Sequence, residues 1–193
     1  MESGRTVLIV PGLGSSGPEH WQSLWEASHP EYQRVRQSEW ECPRCADWVA
    51  NLNAAISAAN QPVVLVAHSM GCIAVIHWAV TTGKENQCVA AALLVSPPDV
   101  EAETIPVGPT GFAPCPLIRL PFKSIVVAST DDPFATLERE KAFATAWGSE
   151  LVILESAGHI NATSGHGPWP EGKRLLDKLM RRRIETQPTG QGK

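Results

Sequence analysis

Short apolar runs alternate with amphipathic stretches along the chain. Five runs are almost continuously apolar, which is typical of strands buried on both faces of a parallel sheet; they cover residues 6–10, 63–67, 89–95, 124–128 and 151–154. A polar alternation predicts a weaker edge strand at residues 32–36. Between the strands, the spacing of apolar positions predicts five helices, at residues 19–27, 45–59, 70–82, 134–147 and 172–183.

The order of these elements predicts the fold class. Strands that alternate with helices in this way form a three-layer α/β sandwich, in which helices cover both faces of a mostly parallel sheet of about six strands. The length of 193 residues fits one domain, which we predict to cover residues 1–184. Residues 185–193 contain no apolar side chain and are expected to form a mobile tail.

Composition and charge narrow the range of functions. The chain has 16 basic and 20 acidic side chains, and its net charge of −4 gives no electrostatic case for binding nucleic acid or an anionic membrane. Its apolar runs are far shorter than the roughly 20 residues that cross a bilayer, and the first residues lack the apolar stretch of a signal peptide. Five cysteines, an odd number, favour a reducing compartment. We therefore expect a cytoplasmic protein.

One cysteine pair is similar to half of a zinc site. Cys42 and Cys45 have the Cys-x-x-Cys spacing, but a structural zinc site needs two more ligands at similar spacing, and the sequence has no second pair. A redox pair of this kind opens a helix directly after a buried strand, whereas a polar stretch precedes this one. Cys72 and Cys88 are interpreted as small buried residues. No metal and no cofactor are expected.

The third predicted strand runs into residues 67–71 (AHSMG) and then directly into a helix. This is the Gly-x-Ser-x-Gly pattern of a nucleophile elbow, with alanine in the first glycine position. Small residues are needed there because the serine occupies a strained turn with positive φ. The pattern predicts that Ser69 is a nucleophile; the alternative is an ordinary turn in which Ser69 only caps the helix. His68 is predicted to point away from the site.

A serine hydroxyl needs a base to take its proton and an acid to orient that base. The fifth predicted strand is followed by Asp131 and Asp132, and the sixth by His159. The carboxyl ends of parallel strands share one edge of a sheet, and the order Ser, Asp, His is that of α/β-hydrolases. We predict His159 as the base and Asp132 as the acid. Asp131 and Asp99 are alternatives for the acid, and His166 is the alternative for the base.

The loop after the first strand, residues 11–17, is rich in glycine. It lacks the later acidic residue of a dinucleotide-binding fingerprint and the Gly-Lys of a P-loop. An oxyanion hole instead needs two backbone N–H groups directed at the developing negative charge. Met70, directly after the nucleophile, is predicted to supply one of them. Leu13 is predicted to supply the other, with Gly14 as its competitor.

Two segments are predicted to form the walls of a substrate pocket. Candidate substrate-binding residues in and after the first loop are Gly12, Gly14, His20 and Trp21, with core packing as the alternative role of Trp21. The segment 97–121 contains seven prolines and is longer than an ordinary connection. Its Phe112 and Leu117 are expected to line a shallow acyl pocket.

Four segments carry a family resemblance; they are residues 7–21, 63–71, 128–134 and 156–172. In these segments the chain resembles the α/β-hydrolase family that contains retinoblastoma-binding protein 9 and the bacterial YdeN-like serine hydrolases. The resemblance implies a minimal α/β-hydrolase fold without the first antiparallel hairpin, and a serine hydrolase that uses Ser69, Asp132 and His159. The motif Leu-x-Cys-x-Glu is absent from the sequence, so retinoblastoma protein is not an expected partner.

These observations lead to one functional hypothesis and two alternatives. We expect a cofactor-free, carboxylesterase-like serine hydrolase that cleaves small ester or amide substrates through an acyl-enzyme intermediate, with a preference for short acyl groups. One alternative is a non-catalytic binding protein on the same scaffold, because fold alone does not imply function. The other is transfer of the acyl group to an acceptor other than water. The sequence leaves open the natural substrate, the choice between esters and amides, and the oligomeric state.

Overall fold

The computed structural model describes residues 5–82 and 87–181, so the predicted tail at 185–193 lies outside the described residues. Within these ranges the chain forms a three-layer α/β sandwich, as predicted. The strands are β1 (Thr6–Val10), β2 (Tyr32–Arg34), β3 (Val63–His68), β4 (Val89–Val95), β5 (Lys123–Ser129) and β6 (Glu150–Leu154). The α-helices are α1 (Trp21–Ser28), α2 (Cys45–Ala58), α3 (Met70–Thr81), α4 (Leu137–Trp147) and α5 (Pro170–Arg181).

The six strands form one sheet in the order β2-β1-β3-β4-β5-β6, and every neighbouring pair is parallel. The chain moves outward from β1 to β2 at one edge, then crosses back over β1 to β3 and continues to β6 at the other edge. This change of direction places a topological switch point between β1 and β3. In open parallel sheets, ligands bind beyond the carboxyl ends of the strands at such a point.

The core consists of two apolar layers, one on each face of the sheet. Because side chains alternate along a strand, Leu8 and Val10 of β1 face one layer while Val7 and Ile9 face the other. The first layer contains buried residues of α2, α3 and α4, and the second contains those of α1 and α5. The continuous apolar runs of the sequence are thus explained by burial on both faces.

Several predicted boundaries differ from those observed. Helix α4 begins at Leu137 rather than at residue 134, because the side chain of Thr136 caps it by accepting a hydrogen bond from Arg139 N at 3.2 Å. Strand β2 ends at Arg34, two residues before the predicted end. Cys72 is buried as predicted, but the prediction for Cys88 is wrong, since it is exposed.

Among the described residues, no helix is long and apolar enough to span a membrane. The predicted cytoplasmic location and the predicted domain limits stay predictions.

Candidate active site

The turn between β3 and α3 has the geometry that the sequence motif predicts. Ser69 has φ 54° and ψ −129°, a conformation that a non-glycine residue rarely adopts. Its backbone N–H donates to Val95 O at 3.0 Å, which ties the turn to the end of β4. The Ser69 hydroxyl therefore projects from a sharp turn at the carboxyl edge of the sheet, with the N-terminus of α3 directly behind it.

Two glycines permit this turn, because neighbouring segments of the chain pass too close to them for a side chain. A Cβ on Gly71 would overlap Val10 O and lie 2.6 Å from Pro11 O, so α3 can begin against the end of β1 only if this residue has no side chain. A Cβ on Gly12 would lie 2.8 Å from the Cβ of Ser69. Gly12, a predicted substrate-binding residue, therefore lies against the nucleophile turn and is absent from the lining of the cavity described below.

Three side chains form a continuous hydrogen-bonded chain at this edge. His159 Nδ1 lies 3.0 and 2.9 Å from the two carboxylate oxygens of Asp132, and His159 Nε2 lies 2.9 Å from Ser69 Oγ. A carboxylate only accepts hydrogen bonds, so Nδ1 carries the imidazole proton and Nε2 presents a lone pair to the serine hydroxyl. The side chains of Asp132 and His159 are 1% and 8% exposed. Such a chain can activate a serine for attack on a carbonyl carbon.

The alternative acid, Asp131, has a different set of partners. Its Oδ1 accepts hydrogen bonds from Ser129 Oγ and from Gly158 N, both at 2.8 Å, and these bonds lower the pKa of Asp131 below its usual value. Ser129 Oγ also accepts from Ala157 N at 3.1 Å, and Thr130 Oγ1 accepts from Ser156 N at 2.9 Å. Three consecutive side chains, beginning with the last residue of β5, thus bind three consecutive N–H groups directly before the histidine. Asp131 holds the backbone of the histidine loop rather than the imidazole.

His68 contradicts the prediction that it points away from the site. It lines the same cavity as Ser69, and its Nε2 donates a hydrogen bond to the backbone carbonyl of His159 at 2.9 Å. The two imidazole rings are also in contact, with centroids 4.9 Å apart. Burial lowers the pKa of His68 well below its usual value, so this ring is neutral. The last residue of β3 therefore supports the backbone of the histidine loop.

The two competing candidates for the second oxyanion donor differ in their hydrogen bonds. The backbone N–H of Gly14 donates to Trp40 O at 3.2 Å and is therefore engaged. Leu13 begins a short 3-10 helix, residues 13–15, and lines the cavity together with Met70 at the N-terminus of α3. This arrangement favours Leu13 over Gly14 as the partner of Met70.

A cavity of about 520 Å³ opens at the nucleophile. Its apolar wall contains Pro98, Ile105 and Pro106 from the proline-rich segment, together with Phe134 from the loop after β5. Residues 16–20 and 161–163, which follow β1 and β6, also line the cavity. The prediction that segment 97–121 contributes to the wall is therefore confirmed, although through residues other than those predicted.

Besides Gly12, three predicted substrate-binding residues do not line this cavity. Trp21 is fully buried in the α1 layer of the core, where its Nε1 donates to Ile160 O at 2.9 Å. Phe112 is buried against Trp48 on the opposite face of the sheet, with ring centroids 5.7 Å apart. Leu117 is 49% exposed on the surface away from the cavity lining. The structure thus corrects the predictions for all three, while Gly14 and His20 do line the cavity.

The sequence analysis also missed lining residues. Phe134 was assigned to a helix, but it precedes α4 and its ring lies 4.6 Å from the His159 ring in an edge-on arrangement. Its position two residues after Asp132 was the signal that could have identified it. Asn161 follows His159 by two residues in the same way. His166, the alternative base, bonds instead to Ser164 Oγ at 3.2 Å.

A buried carboxyl group lies behind the hydrogen-bonded chain. Glu140 of α4 is fully buried, and its Oε2 accepts a hydrogen bond from Ser129 N at 3.2 Å. Burial, and secondarily the nearby Asp132 carboxylate, raise the pKa of Glu140 to about 8. Glu140 is therefore largely protonated at neutral pH.

The Cys-x-x-Cys pair lies apart from this site. All five cysteines are free, and burial raises the pKa of the Cys45 thiol to about 11, so it is not an activated nucleophile. Within residues 5–82 and 87–181, no group of three or more His, Cys, Asp or Glu side chains could hold a metal ion.

The parallel sheet, the serine turn at its switch point and the cavity above it define an α/β-hydrolase fold. The family model described as serine hydrolase matches residues 7–178. A YdeN-like hydrolase from Pectobacterium atrosepticum is 35% identical, with a TM-score of 0.81, and the alignment covers 91% of this chain and 90% of that one. The chain therefore belongs to the serine hydrolase family, and the resemblance to YdeN-like hydrolases is confirmed.

More distant structures share the fold. The ydeN gene product of B. subtilis is 21% identical, with a TM-score of 0.74, and the alignment covers 93% of this chain and 100% of that one. The esterase Est2 from Thermogutta terrifontis is 18% identical, with a TM-score of 0.64 and coverage of 98% and 86%. No curated protein matches the chain in sequence.

Proposed function

We propose that this hydrolase cleaves small carboxylic esters through an acyl-enzyme intermediate on Ser69. The observation that carries the proposal is the unbroken hydrogen-bonded chain from the Ser69 hydroxyl through His159 to Asp132. Two further observations support the proposal: the positive φ of Ser69 and the cavity that opens onto its hydroxyl.

The proposed reaction has two halves with the same groups in reversed roles. His159 Nε2 takes the proton of Ser69 as Oγ attacks the ester carbonyl, and then gives that proton to the leaving alcohol. Asp132 holds the imidazole orientation and stabilises the imidazolium that forms. Water then attacks the acyl-enzyme with His159 again as base, and His159 returns the proton to Ser69 Oγ as the bond to the acyl group breaks and the acid product leaves. The backbone N–H groups of Met70 and Leu13 are the proposed donors to the oxyanion.

Esters are favoured over amides by the descriptions of the structural neighbours. Est2 of Thermogutta terrifontis is described as an esterase, and one of its structures is described as phosphorylated by paraoxon. The cavity of about 520 Å³ has a wall of proline, isoleucine and phenylalanine, which suits an apolar acyl or alcohol group. The expected substrates are neutral esters of modest size.

Labelling with a fluorophosphonate probe, together with hydrolysis of p-nitrophenyl acetate and butyrate, tests the proposal. We expect the wild type to be labelled at Ser69 and to hydrolyse both esters. Ser69→Ala is expected to lose labelling and at least about 1000-fold in kcat/KM, because no other group supplies the nucleophile. Ser28→Ala is the matched control, since Ser28 is the last residue of α1 and its hydroxyl donates to backbone carbonyls of the same helix. Labelling that persists in Ser69→Ala would contradict the proposal.

Acyl transfer to another acceptor is tested in the same assay. If added alcohols or amines compete with water at millimolar concentration, an ester or an amide, respectively, appears in place of the acid. Hydrolysis predicts that acid remains the main product.

A further inference from the structure

His20 occupies a position that its role as a helix cap does not explain. It directly precedes α1, where its Nδ1 accepts a hydrogen bond from Gln22 N at 3.1 Å. The residue is 6% exposed, and it lines the cavity that contains Ser69 and His159. A serine or asparagine would cap the helix equally well, so the imidazole adds something beyond capping.

The cap determines which nitrogen of His20 carries the proton. Nδ1 must present its lone pair to the Gln22 N–H, so the proton of the neutral ring is on Nε2. Burial, with smaller contributions from Arg34 and His159, lowers the pKa of His20 to about 4. The ring is therefore neutral throughout the physiological pH range, and its Nε2–H is one fixed hydrogen-bond donor.

This donor has no acceptor within the described part of the chain. The His20 ring contacts the rings of His68 and Trp21, with centroid-to-centroid distances of 4.7 and 5.2 Å. The N–H groups of these two rings donate elsewhere, to His159 O and Ile160 O, and within the described residues neither ring accepts a hydrogen bond from His20 Nε2. A buried donor without a partner is unfavourable, and in native proteins it usually indicates a bound water or ligand.

We propose that the His20 Nε2–H binds an acceptor oxygen of the substrate other than the scissile carbonyl oxygen. The proposal rests on the proposed esterase function and adds a substrate class: esters that carry an ether, hydroxyl or keto oxygen close to the ester group, in preference to plain alkyl esters of the same shape. An alkyl ester would bury the donor unpaired, whereas an oxygen at the matching position would satisfy it.

The expected size of this preference is about 10- to 100-fold in kcat/KM, because a site built around a buried polar group rejects analogues that lack its partner. The additional oxygen can lie in the acyl group or in the alcohol group of the ester, and the test distinguishes these two positions. Both placements use the same donor chemistry.

Two isosteric substrate pairs test the proposal. p-Nitrophenyl methoxyacetate and p-nitrophenyl butyrate differ by an oxygen in the acyl chain, and 2-methoxyethyl butyrate and butyl butyrate differ in the same way in the alcohol. For each pair, the kcat/KM ratio of oxygen-bearing to alkyl ester is divided by the ratio of their alkaline hydrolysis rates without enzyme. This division removes the difference in intrinsic reactivity, and the wild type alone therefore gives a decisive value.

His20→Asn provides the variant. Asparagine keeps an oxygen that caps α1, but its shorter side chain does not reach the position of Nε2. His20→Ser, also a good cap, is the second variant if the first fails to fold. Ser28→Ala is the control for a disturbance of α1, because it changes the far end of the helix.

We expect one of the two corrected ratios to be at least about 10 in the wild type and in Ser28→Ala, and to fall to about 1 in His20→Asn. Corrected ratios near 1 for both pairs in the wild type would overturn the inference. It would also be overturned if His20→Asn slowed both members of each pair equally, because that result indicates a purely structural role for His20. In either case the esterase function itself would stand. Failure of every ester to react would overturn the proposed function and this inference together.

Discussion

The nucleophile and the base of this site are held in place by different kinds of contact. Ser69 is held by backbone packing: Gly71 lies against the carbonyl groups of Val10 and Pro11, and Gly12 lies against the serine itself. His159 is held by polar contacts: Asp132 binds its ring, and several side chains bind the backbone around it. One region has no room for an added atom, and the other depends on groups that can be removed singly.

The difference follows from the chain order of the two regions. The serine turn joins a strand to the helix that follows it, so its geometry is local and steric. The base must be brought to the serine from β6 across the ends of β5 and β4, since β6 is the edge strand. Hydrogen bonds from the β5 loop and from the end of β3 bridge that gap. We therefore expect the serine region to respond to added volume and the histidine region to respond to lost hydrogen bonds.

Among the variants that test this comparison, Gly71→Ala is expected to have the largest effect. The new Cβ would overlap Val10 O, so the start of α3 must move away from β1 and take Ser69 and the Met70 N–H with it. We expect fluorophosphonate labelling and kcat/KM to fall at least about 100-fold, and the free energy of unfolding to fall by about 2 kcal/mol. Gly167→Ala is the control, since its Cβ would meet its nearest neighbours at 3.8 Å. Equal activity of both variants would show that packing does not hold the nucleophile.

The next effect is on stability and concerns Glu140. Its pKa is raised to about 8 in the folded protein, so the unfolded chain releases this proton at lower pH than the folded one does. The unfolded state then binds fewer protons between about pH 4.5 and 8, and stability falls as the pH rises through that range. Below about pH 4.5 the carboxyl is neutral in both states, so this stability is fully present there and no longer changes with pH.

Glu140→Gln removes this pH dependence while keeping an acceptor for Ser129 N. We expect the variant to gain about 3 kcal/mol relative to the wild type between pH 5 and pH 8, as measured by urea unfolding at each pH. Any effect of the amide on the free energy of unfolding that does not depend on pH cancels, because the two pH values are compared within each protein. Glu138→Gln, which alters an exposed carboxylate on the same helix, should follow the wild-type profile. Parallel profiles for Glu140→Gln and the wild type would contradict the assignment.

The smallest effect is expected for Asp131. Asp131→Ala removes the acceptor shared by Ser129 Oγ and Gly158 N, which loosens the histidine loop without touching the imidazole. We expect kcat to fall by about tenfold with little change in KM, and Asp131→Asn to recover most of the loss because it keeps an accepting oxygen. If Asp131→Ala instead matched Asp132→Ala in severity, the division of roles between the two carboxylates would be wrong.

The sequence alone predicted the elements that depend on local pattern. Strands buried on both faces must be apolar throughout, so the runs near residues 6–10 and 63–67 identify β1 and β3 without knowledge of their partners. The serine turn is equally local, because the small residues around Ser69 are required by the turn itself. The convergence of the β3, β5 and β6 ends followed from the rule that parallel strands share a carboxyl edge.

The tertiary structure decided what depends on the direction of a side chain outside regular elements. Asp131 and Asp132 are identical in type and adjacent, and only the positions of Gly158 and His159 assign one to the backbone and the other to the ring. Phe112 is apolar and lies in the segment that does line the cavity, but contact with Trp48 turns it into the core.

The polar residues His68 and His20 show the same limit of prediction from sequence. Periodicity predicts where a residue lies along a strand or at a helix end, but not which groups from distant segments surround it. The carbonyl that His68 binds belongs to a residue 91 positions later in the chain. Long-range packing creates that environment, and with it the neutral, oriented imidazoles of the site; the sequence pattern carries information only about the local backbone.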